Sequence, residues 1–532
     1  MKQWREHKFH LISLLLIFLL FLLSVHVRKD KLSQPLSQQY AWVTAHTLMT
    51  VQIWDETGGP AGTSFIPVYT YEGAGNKGIA PLGGVMGKNG KMHYTSYPPF
   101  SFLLAYYGIQ MIGGNPVSSI RTLGLILHLC SAFLIYFIIR SIRNTRKDQL
   151  QLAGIIGAAL YLFSAGPLWF HSNLYFADMV VIPLLLVLIL LYTKLIYQNF
   201  KHKNRILIGF GVFTFFAVYT EWIALFFAGF ASLFLLIKYL SNRKRIWLQA
   251  ALVIGLTALC TIGLTIVQYC SIQGWDELLE VSINKYQERS GFQKNQEGIE
   301  TFGWRSSISY TLMKEHLNQN FAMVINLLGI IPFLLLPVVI WKKTRLKIEK
   351  LAPKIEILSV IFLAIITHYL LFFNFNSLHN FGNLKTGLFM ILLISVVILI
   401  IEEVINWRLR IALAAILFYI IVPRSLLEVK RFDGLFSYTD SDAKLDQMAL
   451  TIKKYSHDEQ TVFVNVWATP GFMYKAHRNV FLLRDTSRLT PIMKFLKTEK
   501  AQYYHEENGA MKYFLDIELN QERVKVVNKV VF

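Results

Sequence analysis

Cysteines, charged residues and metal-binding or nucleotide-binding motifs are all scarce in this chain of 532 residues. Its three cysteines, Cys130, Cys260 and Cys270, lie in or beside apolar runs, which excludes a disulfide framework and a cysteine-based metal site. Charged residues make up only 16% of the chain, too few for the surface of a soluble protein of this size. No Walker loop, nucleophile elbow or metal-ligand quartet occurs. The sequence therefore predicts neither a metal nor a cofactor.

Apolar residues dominate what is present. They account for 54% of the chain, and the mean hydropathy is +0.41, which is typical of a polytopic membrane protein. The formal charge of +20 would also suit a nucleic-acid-binding protein. Because the lysines and arginines cluster in short loops between apolar segments, the charge indicates membrane topology instead, and no nucleic-acid partner is expected.

Segments of about 20 apolar residues recur along the chain, and each can cross a bilayer as a helix. We predict about 11 spans, near residues 9–26, 118–139, 151–168, 179–199, 206–221, 223–239, 247–269, 321–341, 355–374, 385–402 and 409–424. Every second loop is basic: the basic stretches are 2–8, 140–147, 201–205, 243–245, 342–347 and 408–410. Since basic loops stay in the cytoplasm, the N-terminus is predicted inside and the C-terminus outside. The first span lacks a small-residue cleavage site and is predicted to be retained.

Two long outer loops, 27–117 and 270–319, are predicted to line a site on the outer face. Within the first loop, 37–54 has amphipathic spacing and 100–112 is apolar but short for a span. The second stretch also follows two prolines and ends at two glycines. Both are predicted to be helices lying at the outer membrane surface.

The end of the chain differs in character from the apolar part. It contains two stretches with strand-like composition and two with helical spacing. These are 461–466 and 479–483 for the strands, and 440–455 and 489–497 for the helices. We therefore predict a mostly α protein: a polytopic membrane helix bundle over 1–424, followed by a small extracytoplasmic α/β domain over 425–532.

Carboxylates in the outer loops are the first candidates for chemistry. Asp55 and Glu56 follow the predicted helix 37–54; either could act as a general base on an acceptor hydroxyl, or simply end a solvated helix. Asp178 opens a predicted span, and Glu221 lies between two of them. A carboxylate at the membrane edge is either solvated there or part of a functional site.

Cations lie on the same predicted side of the membrane. His379 and Lys385 belong to a short polar hairpin, and Arg121 and Arg305 are further candidates. They could hold a phosphate, although a lysine at the membrane edge more commonly extends to the interface. Carboxylates beside cations suit group transfer from a phosphate-linked donor, because a base activates the nucleophile while cations stabilise the departing phosphate.

The order of these features resembles the GT-C fold glycosyltransferases related to protein O-mannosyltransferases and lipid A aminoarabinose transferases. The step Tyr97-Pro98-Pro99-Phe100 is similar to the Pro-Pro motif of that family. Asp178 matches the acidic residue of the family's second outer loop, and 270–319 resembles its large outer loop. The resemblance covers roughly residues 9 to 400, mostly through topology.

The resemblance implies an inverting glycosyltransferase in a bacterial plasma membrane. It would move a sugar from a polyprenyl-phosphate donor to a glycan, lipid or protein acceptor, with Tyr97, Pro98 and Pro99 at the substrate. The family's catalytic aspartate follows its first span, where this chain reads Leu36-Ser37-Gln38-Gln39. Either Asp55 or Glu56 has taken that role, or the protein is altered or inactive. A transporter of a lipid or sugar, and a non-catalytic cell-envelope assembly protein, stay open as alternatives.

Overall fold

The computed structural model describes residues 2–36, 40–77, 84–142, 150–197, 202–292, 306–341, 348–404, 407–436, 438–520 and 523–532. The first helices are α1 (Lys2–Val27), α2 (Lys29–Leu32), α3 (Ala41–Glu56), α4 (Phe100–Ile112), α5 (Pro116–Ile142), α6 (Leu152–Phe163), α7 (Ala165–Asn173), α8 (Ala177–Tyr197), α9 (Lys203–Val218) and α10 (Trp222–Asn242). The later helices are α11 (Arg245–Gln273), α12 (Trp275–Ser290), α13 (Ser307–Trp341), α14 (Ile348–Leu371), α15 (Phe373–Leu378), α16 (Leu384–Val404), α17 (Trp407–Phe436), α18 (Asp440–Tyr455), α19 (Pro470–Ala476) and α20 (Leu489–Phe495). The strands are β1 (Gly84–Met86), β2 (Met92–Tyr94), β3 (Thr461–Val464), β4 (Val480–Leu482), β5 (Lys500–Glu507), β6 (Ala510–Asn520) and β7 (Arg523–Val531).

The predicted helical membrane bundle is confirmed. Within the described residues, eight helices are long and apolar enough to cross a membrane, namely α1, α5, α8, α10, α11, α14, α16 and α17. Helices α6 and α7 form a ninth candidate that is bent by 57°. The two other predicted spans correspond to α9, which has 16 residues, and to the second half of α13. The protein is therefore a multi-pass membrane protein.

A close helix contact lies at the point where α13 bends. Its backbone leaves helical geometry at Phe321 (φ −141°), and the ring of Phe321 lies against Gly387 of α16. A β-carbon at Gly387 would collide with that ring, so only glycine allows the approach. The contact anchors α13 beside the first turn of α16.

The two helices of the first outer loop differ in their surroundings. Helix α4 has the predicted bounds and exposes Tyr107 and Met111. Helix α3 instead is enclosed by protein: nearly all its side chains from Val43 to Trp54 are buried, and it packs against α4 and α19. An amphipathic spacing predicts a buried apolar face but not whether lipid or protein covers it.

The C-terminal unit contains the predicted small α/β fold. Its sheet has the strand order β4-β3-β5-β6-β7, with parallel pairing of β3 to β4 and β5 and antiparallel pairing beyond. All four residues of β3 are buried, as expected for a central parallel strand. Helix α17 continues to Phe436 before α18 starts at Asp440, so the predicted boundary at 424 falls inside a helix. The division into two domains stays a prediction.

Candidate functional site

Four buried ionisable side chains meet at the ends of four helices. The ammonium Nζ of Lys385 lies 2.8 Å from Asp178 Oδ1 and 2.9 Å from Glu221 Oε1, and all three side chains are fully buried. His368 Nε2 lies 3.0 Å from the same Glu221 oxygen. We call these four residues the charge cluster. Buried charges persist only when partners compensate them, so the charge cluster ties α8, α10, α14 and α16 together.

Residues of the charge cluster lie at or next to helix ends. Asp178 lies in the first turn of α8 and Lys385 in the first turn of α16. Glu221 caps α10, where its Oε2 accepts a hydrogen bond from the Ile223 amide at 2.9 Å, a favourable position for a carboxylate. Burial alone would raise the pKa of Glu221, but Lys385 and His368 hold it below its usual range. The carboxylate therefore stays ionised.

A cavity of about 360 Å³ lies next to the charge cluster. Six aromatic rings form much of its wall, those of Trp42, Tyr94, Tyr97, Phe176, Phe375 and Phe381. Its polar lining residues are Ser96, Lys285, Glu288, Arg289, Asn374 and His379. Both long outer loops contribute, the first through Trp42 and residues 94–97 and the second through residues 285–289. Aromatic walls with a few convergent polar groups are typical of a small-molecule site.

Arg289 is a cavity-lining cation that could bind an anionic ligand. Its guanidinium carbon lies 4.6 Å from the ring centre of Tyr97 and 5.3 Å from that of Phe375. The nearby Glu288 pairs with Lys285 instead, at 2.7 Å. Within the described part of the chain, no carboxylate forms an ion pair with Arg289. Aromatic faces can hold a guanidinium by cation–π attraction while leaving its N–H edges free for an anion.

Tyr97 lines the cavity and lies close enough to Asp178 of the charge cluster to feel its charge. Its ring meets Phe176 edge-on at 5.2 Å, and Asp178 follows Phe176 by two residues. Burial, reinforced by the negative charge of Asp178, raises the pKa of Tyr97 well above its ordinary value, although Arg289 opposes the shift. Tyr97 therefore remains a neutral phenol.

The Pro-Pro step positions Tyr97. Pro98 and Pro99 are buried between two backbone anchors. The Phe100 amide donates a hydrogen bond to the Tyr219 carbonyl at 3.0 Å, and the Tyr269 hydroxyl donates to the Tyr97 carbonyl at 2.7 Å. Proline restricts the backbone and needs no hydrogen-bond acceptor for an amide. The step thereby holds Tyr97 beside the turn that carries Glu221.

His379, a predicted phosphate-binding residue, lines the cavity as a neutral ring. It stacks on Phe375 with ring centres 4.6 Å apart. Burial, assisted by the positive charge of Arg289, lowers the pKa of His379 to about 3. It can therefore offer a hydrogen bond to a ligand, but no charge.

The other predicted cations lie elsewhere or are already paired. The positive charge of Lys385 is compensated by Asp178 and Glu221 within the charge cluster. The buried guanidinium of Arg121 donates to the carbonyls of Leu32, Gln34 and Pro35, so it stabilises the chain after α2 and not the cavity. Arg305 lies outside the described residues.

Asp55 and Glu56 are exposed at the far end of α3. Gln110 Nε2 approaches Asp55 Oδ1 at 3.5 Å, and His477 Nε2 lies 2.6 Å from Glu56 Oε1. Trp42, on the same helix, lines the cavity. Asp55 follows Trp42 by 13 residues in the sequence, which corresponds to roughly 20 Å along a helix. The role of base stays a prediction for either residue, and the geometry places both at a distance from the cavity.

Lys285, Glu288 and Arg289 line the cavity but are not among the residues predicted from the sequence. The segment 275–290, predicted only as part of the outer loop 270–319, forms α12. Its apolar residues at three- and four-residue spacing, followed by a basic residue and Gly291, are signals of a helix and its end. His368 lies inside an apolar span, where no local signal in the sequence distinguishes it from a buried structural histidine.

The chain has the GT-C fold of membrane glycosyltransferases, as the resemblance predicted. The structure superposes on the oligosaccharyltransferase of Archaeoglobus fulgidus in its apo form with a TM-score of 0.55 at 11% identity, covering 92% of this chain and 69% of that one. It superposes on ArnT from Cupriavidus metallidurans, bound to undecaprenyl phosphate, with a TM-score of 0.53 at 11% identity, covering 97% of each chain. No protein-family model and no curated protein matches the sequence. At this identity the likeness concerns the fold.

Proposed function

We propose that the protein is an integral membrane glycosyltransferase of the bacterial plasma membrane. It moves a sugar from a polyprenyl-phosphate donor to a glycan, lipid or protein acceptor on the outer face. The observation that carries this proposal is Arg289, a cation without a carboxylate partner among the described residues, facing an aromatic cavity. A guanidinium suits a phosphate, and aromatic faces provide apolar surface against which a sugar ring can pack.

Two structures with the same fold support the donor class. ArnT from Cupriavidus metallidurans was solved with undecaprenyl phosphate, and the oligosaccharyltransferase AglB from Archaeoglobus fulgidus was solved with an inhibitory peptide and a dolichol-phosphate. Both lipids carry a phosphate on a long apolar chain. A cavity that combines a cation with apolar walls beside membrane spans fits that chemistry.

The proposed reaction is a substitution at the anomeric carbon of the sugar. The acceptor oxygen bonds to that carbon as the bond to the phosphate oxygen breaks, and polyprenyl phosphate leaves. Arg289 stabilises the charge that grows on the phosphate. Glu288, the one carboxylate in the described cavity lining, accepts the acceptor's proton. Asp178 is fully buried and paired with Lys385, so we assign it to positioning the wall around Tyr97.

Donor binding and transfer test the proposal directly. Purified protein in lipid nanodiscs is expected to bind undecaprenyl phosphate and gain thermal stability, because a ligand that binds only the folded state stabilises it. Incubation with radiolabelled polyprenyl-phosphate hexoses and pentoses, together with membrane acceptors, should then transfer label from one of them. Undecaprenol, which has the same chain but lacks the phosphate, is the control. A protein that neither binds the phosphate lipid nor transfers any sugar would contradict the proposal.

Amide substitutions decide which carboxylate is the base. Glu288→Gln is expected to lower kcat by about 10²-fold, within the usual contribution of a general base, without changing membrane insertion. Glu56→Gln and Asp55→Asn remove the same charge far from the cavity and should leave kcat nearly unchanged. Loss of transfer in Glu56→Gln or Asp55→Asn, with Glu288→Gln active, would return the role to the residues that the sequence suggested.

A further inference from the structure

Helix α12 presents three chemically distinct sides. The side facing the protein carries Leu278, Lys285 and Arg289, which are buried or half-buried. A second side is exposed and polar, and its residues are Asp276, Glu280, Asn284 and Gln287. At 100° per residue, each of these two sides spans roughly 100° of the helix circumference or less.

The third side of α12 is apolar and exposed. Trp275, Leu279, Ile283 and Tyr286 are 60%, 50%, 47% and 42% exposed. Their spacing places them within an arc of about 80°, between the protein-facing side and the polar side. We call these four residues the α12 stripe. A run of large apolar side chains on one face requires a covering partner.

The α12 stripe directly follows a long apolar helix whose exposed side is also apolar. Helix α11 is long and apolar enough to span the membrane, and its exposed outer side includes Leu256, Leu259 and Val267. Only Gly274 separates the end of α11 from α12, with a backbone φ of +92° that favours glycine and turns the chain. A helix that starts directly at the end of a span begins at the membrane surface.

We propose that α12 lies in the interface of the outer leaflet, with the α12 stripe inserted among the lipids and its polar side in water. The three-sided distribution supports this occupant, because an interfacial helix needs an apolar side next to a hydrated one. Trp275 and Tyr286 are also the residue types that membrane interfaces favour. A second protein chain would leave the adjoining apolar surface of α11 and the polar residues beside it unexplained.

The proposed placement explains how a membrane-bound donor meets Arg289. This consequence rests on the proposed function. Arg289 lies one turn beyond the last stripe residue, Tyr286, and turns toward the cavity. If the α12 stripe sits in lipid, Arg289 lies at headgroup level, so a polyprenyl phosphate can present its phosphate while its chain stays in the bilayer.

Site-directed spin labelling tests the placement without using activity. In a background with Cys130, Cys260 and Cys270 replaced by serine, single cysteines are introduced as Ile283→Cys on the α12 stripe and Asn284→Cys on the polar side. The labelled protein is measured in nanodiscs with oxygen, which concentrates in lipid, and with a water-soluble nickel chelate. The Ile283 label should relax more with oxygen than with nickel, and the Asn284 label should show the reverse. A nickel-accessible Ile283 label, or one shielded from both reagents by a protein contact, would overturn the proposal.

A kinetic comparison tests the consequence for the donor. Replacing Leu279 and Ile283 by glutamine is expected to raise KM for a long-chain polyprenyl-phosphate sugar about tenfold, because it removes apolar contacts with lipid. The kcat with a short-chain, water-soluble donor should not change. Glu280→Gln on the polar side is the matched control. An equal loss with both donors would refute lipid-side delivery, whereas an inactive wild type would refute only the proposed function and leave the labelling result valid.

Discussion

Arg289→Ala is expected to lower kcat/KM for the polyprenyl-phosphate donor by about 10³-fold, the upper part of the range for a preorganised group that stabilises developing charge. The guanidinium is held against Tyr97 and Phe375 before any ligand binds, so no reorganisation is needed at the moment of reaction. Arg289→Lys should recover only part of the loss, since an ammonium lacks the planar pair of donors that matches two phosphate oxygens.

Steady-state kinetics and phosphate-lipid binding should be measured together for these variants. Lys285→Ala is the matched control, because Lys285 lines the same cavity but is already paired with Glu288; its effect should stay near tenfold or below, as for a partly exposed ion pair. If Arg289→Ala binds undecaprenyl phosphate and turns over like the wild type, Arg289 only packs on the aromatic wall, and the phosphate must bind elsewhere.

Lys385→Met is expected to destabilise the protein by about 3–5 kcal/mol, the usual cost of removing one partner from a buried ion pair. The substitution leaves Asp178 and Glu221 facing each other without a cation, at a place where both are fully buried. The free energy of unfolding in mixed micelles, or the melting temperature in nanodiscs, measures the loss.

Two comparisons distinguish a lost cation from a general packing defect. Lys91→Met removes a partly exposed pair with Glu72 and should cost less than about 1 kcal/mol. The triple variant Asp178→Asn, Glu221→Gln, Lys385→Met removes all three charges and should recover most of the stability, because no charge is left uncompensated. If Lys385→Met melts like the wild type, the charge cluster contributes little to stability. If Lys385→Met is destabilised and the triple variant is no more stable, the loss comes from packing and not from an uncompensated charge.

The candidate site was predictable in part. Asp178, Glu221 and Lys385 stand out in the sequence because each is charged and adjoins an apolar span. The sequence could not show that they neutralise one another. The sequence predicts Lys385 either as a phosphate-binding cation or as a lysine that extends to the membrane interface. Only the 2.8 Å and 2.9 Å contacts identify it as a buried partner of two carboxylates.

Arg121 and Arg289 show the same limit more sharply. Arg121 lies at the outer end of the predicted span 118–139 and Arg289 in the predicted outer loop 270–319, and neither position in the sequence shows what the side chain contacts. Arg121 is satisfied by three backbone carbonyls, whereas Arg289 rests on aromatic rings at a cavity. Each carbonyl that accepts a hydrogen bond from Arg121 is at least 86 residues away from it in the sequence. Such partners come together only in the folded chain.

By itself the sequence determined the membrane class of this protein, the approximate positions of its helices and the α/β character of its end. Hydropathy, helix length and strand composition are local properties, and each acts on a stretch of about 20 residues or fewer. The tertiary structure alone decided that α3 is enclosed, that Asp178, Glu221, His368 and Lys385 form one charge cluster, and that α12 brings Arg289 to an aromatic cavity. Those outcomes depend on contacts between distant segments, because burial and ionic pairing are properties of the neighbours that folding supplies.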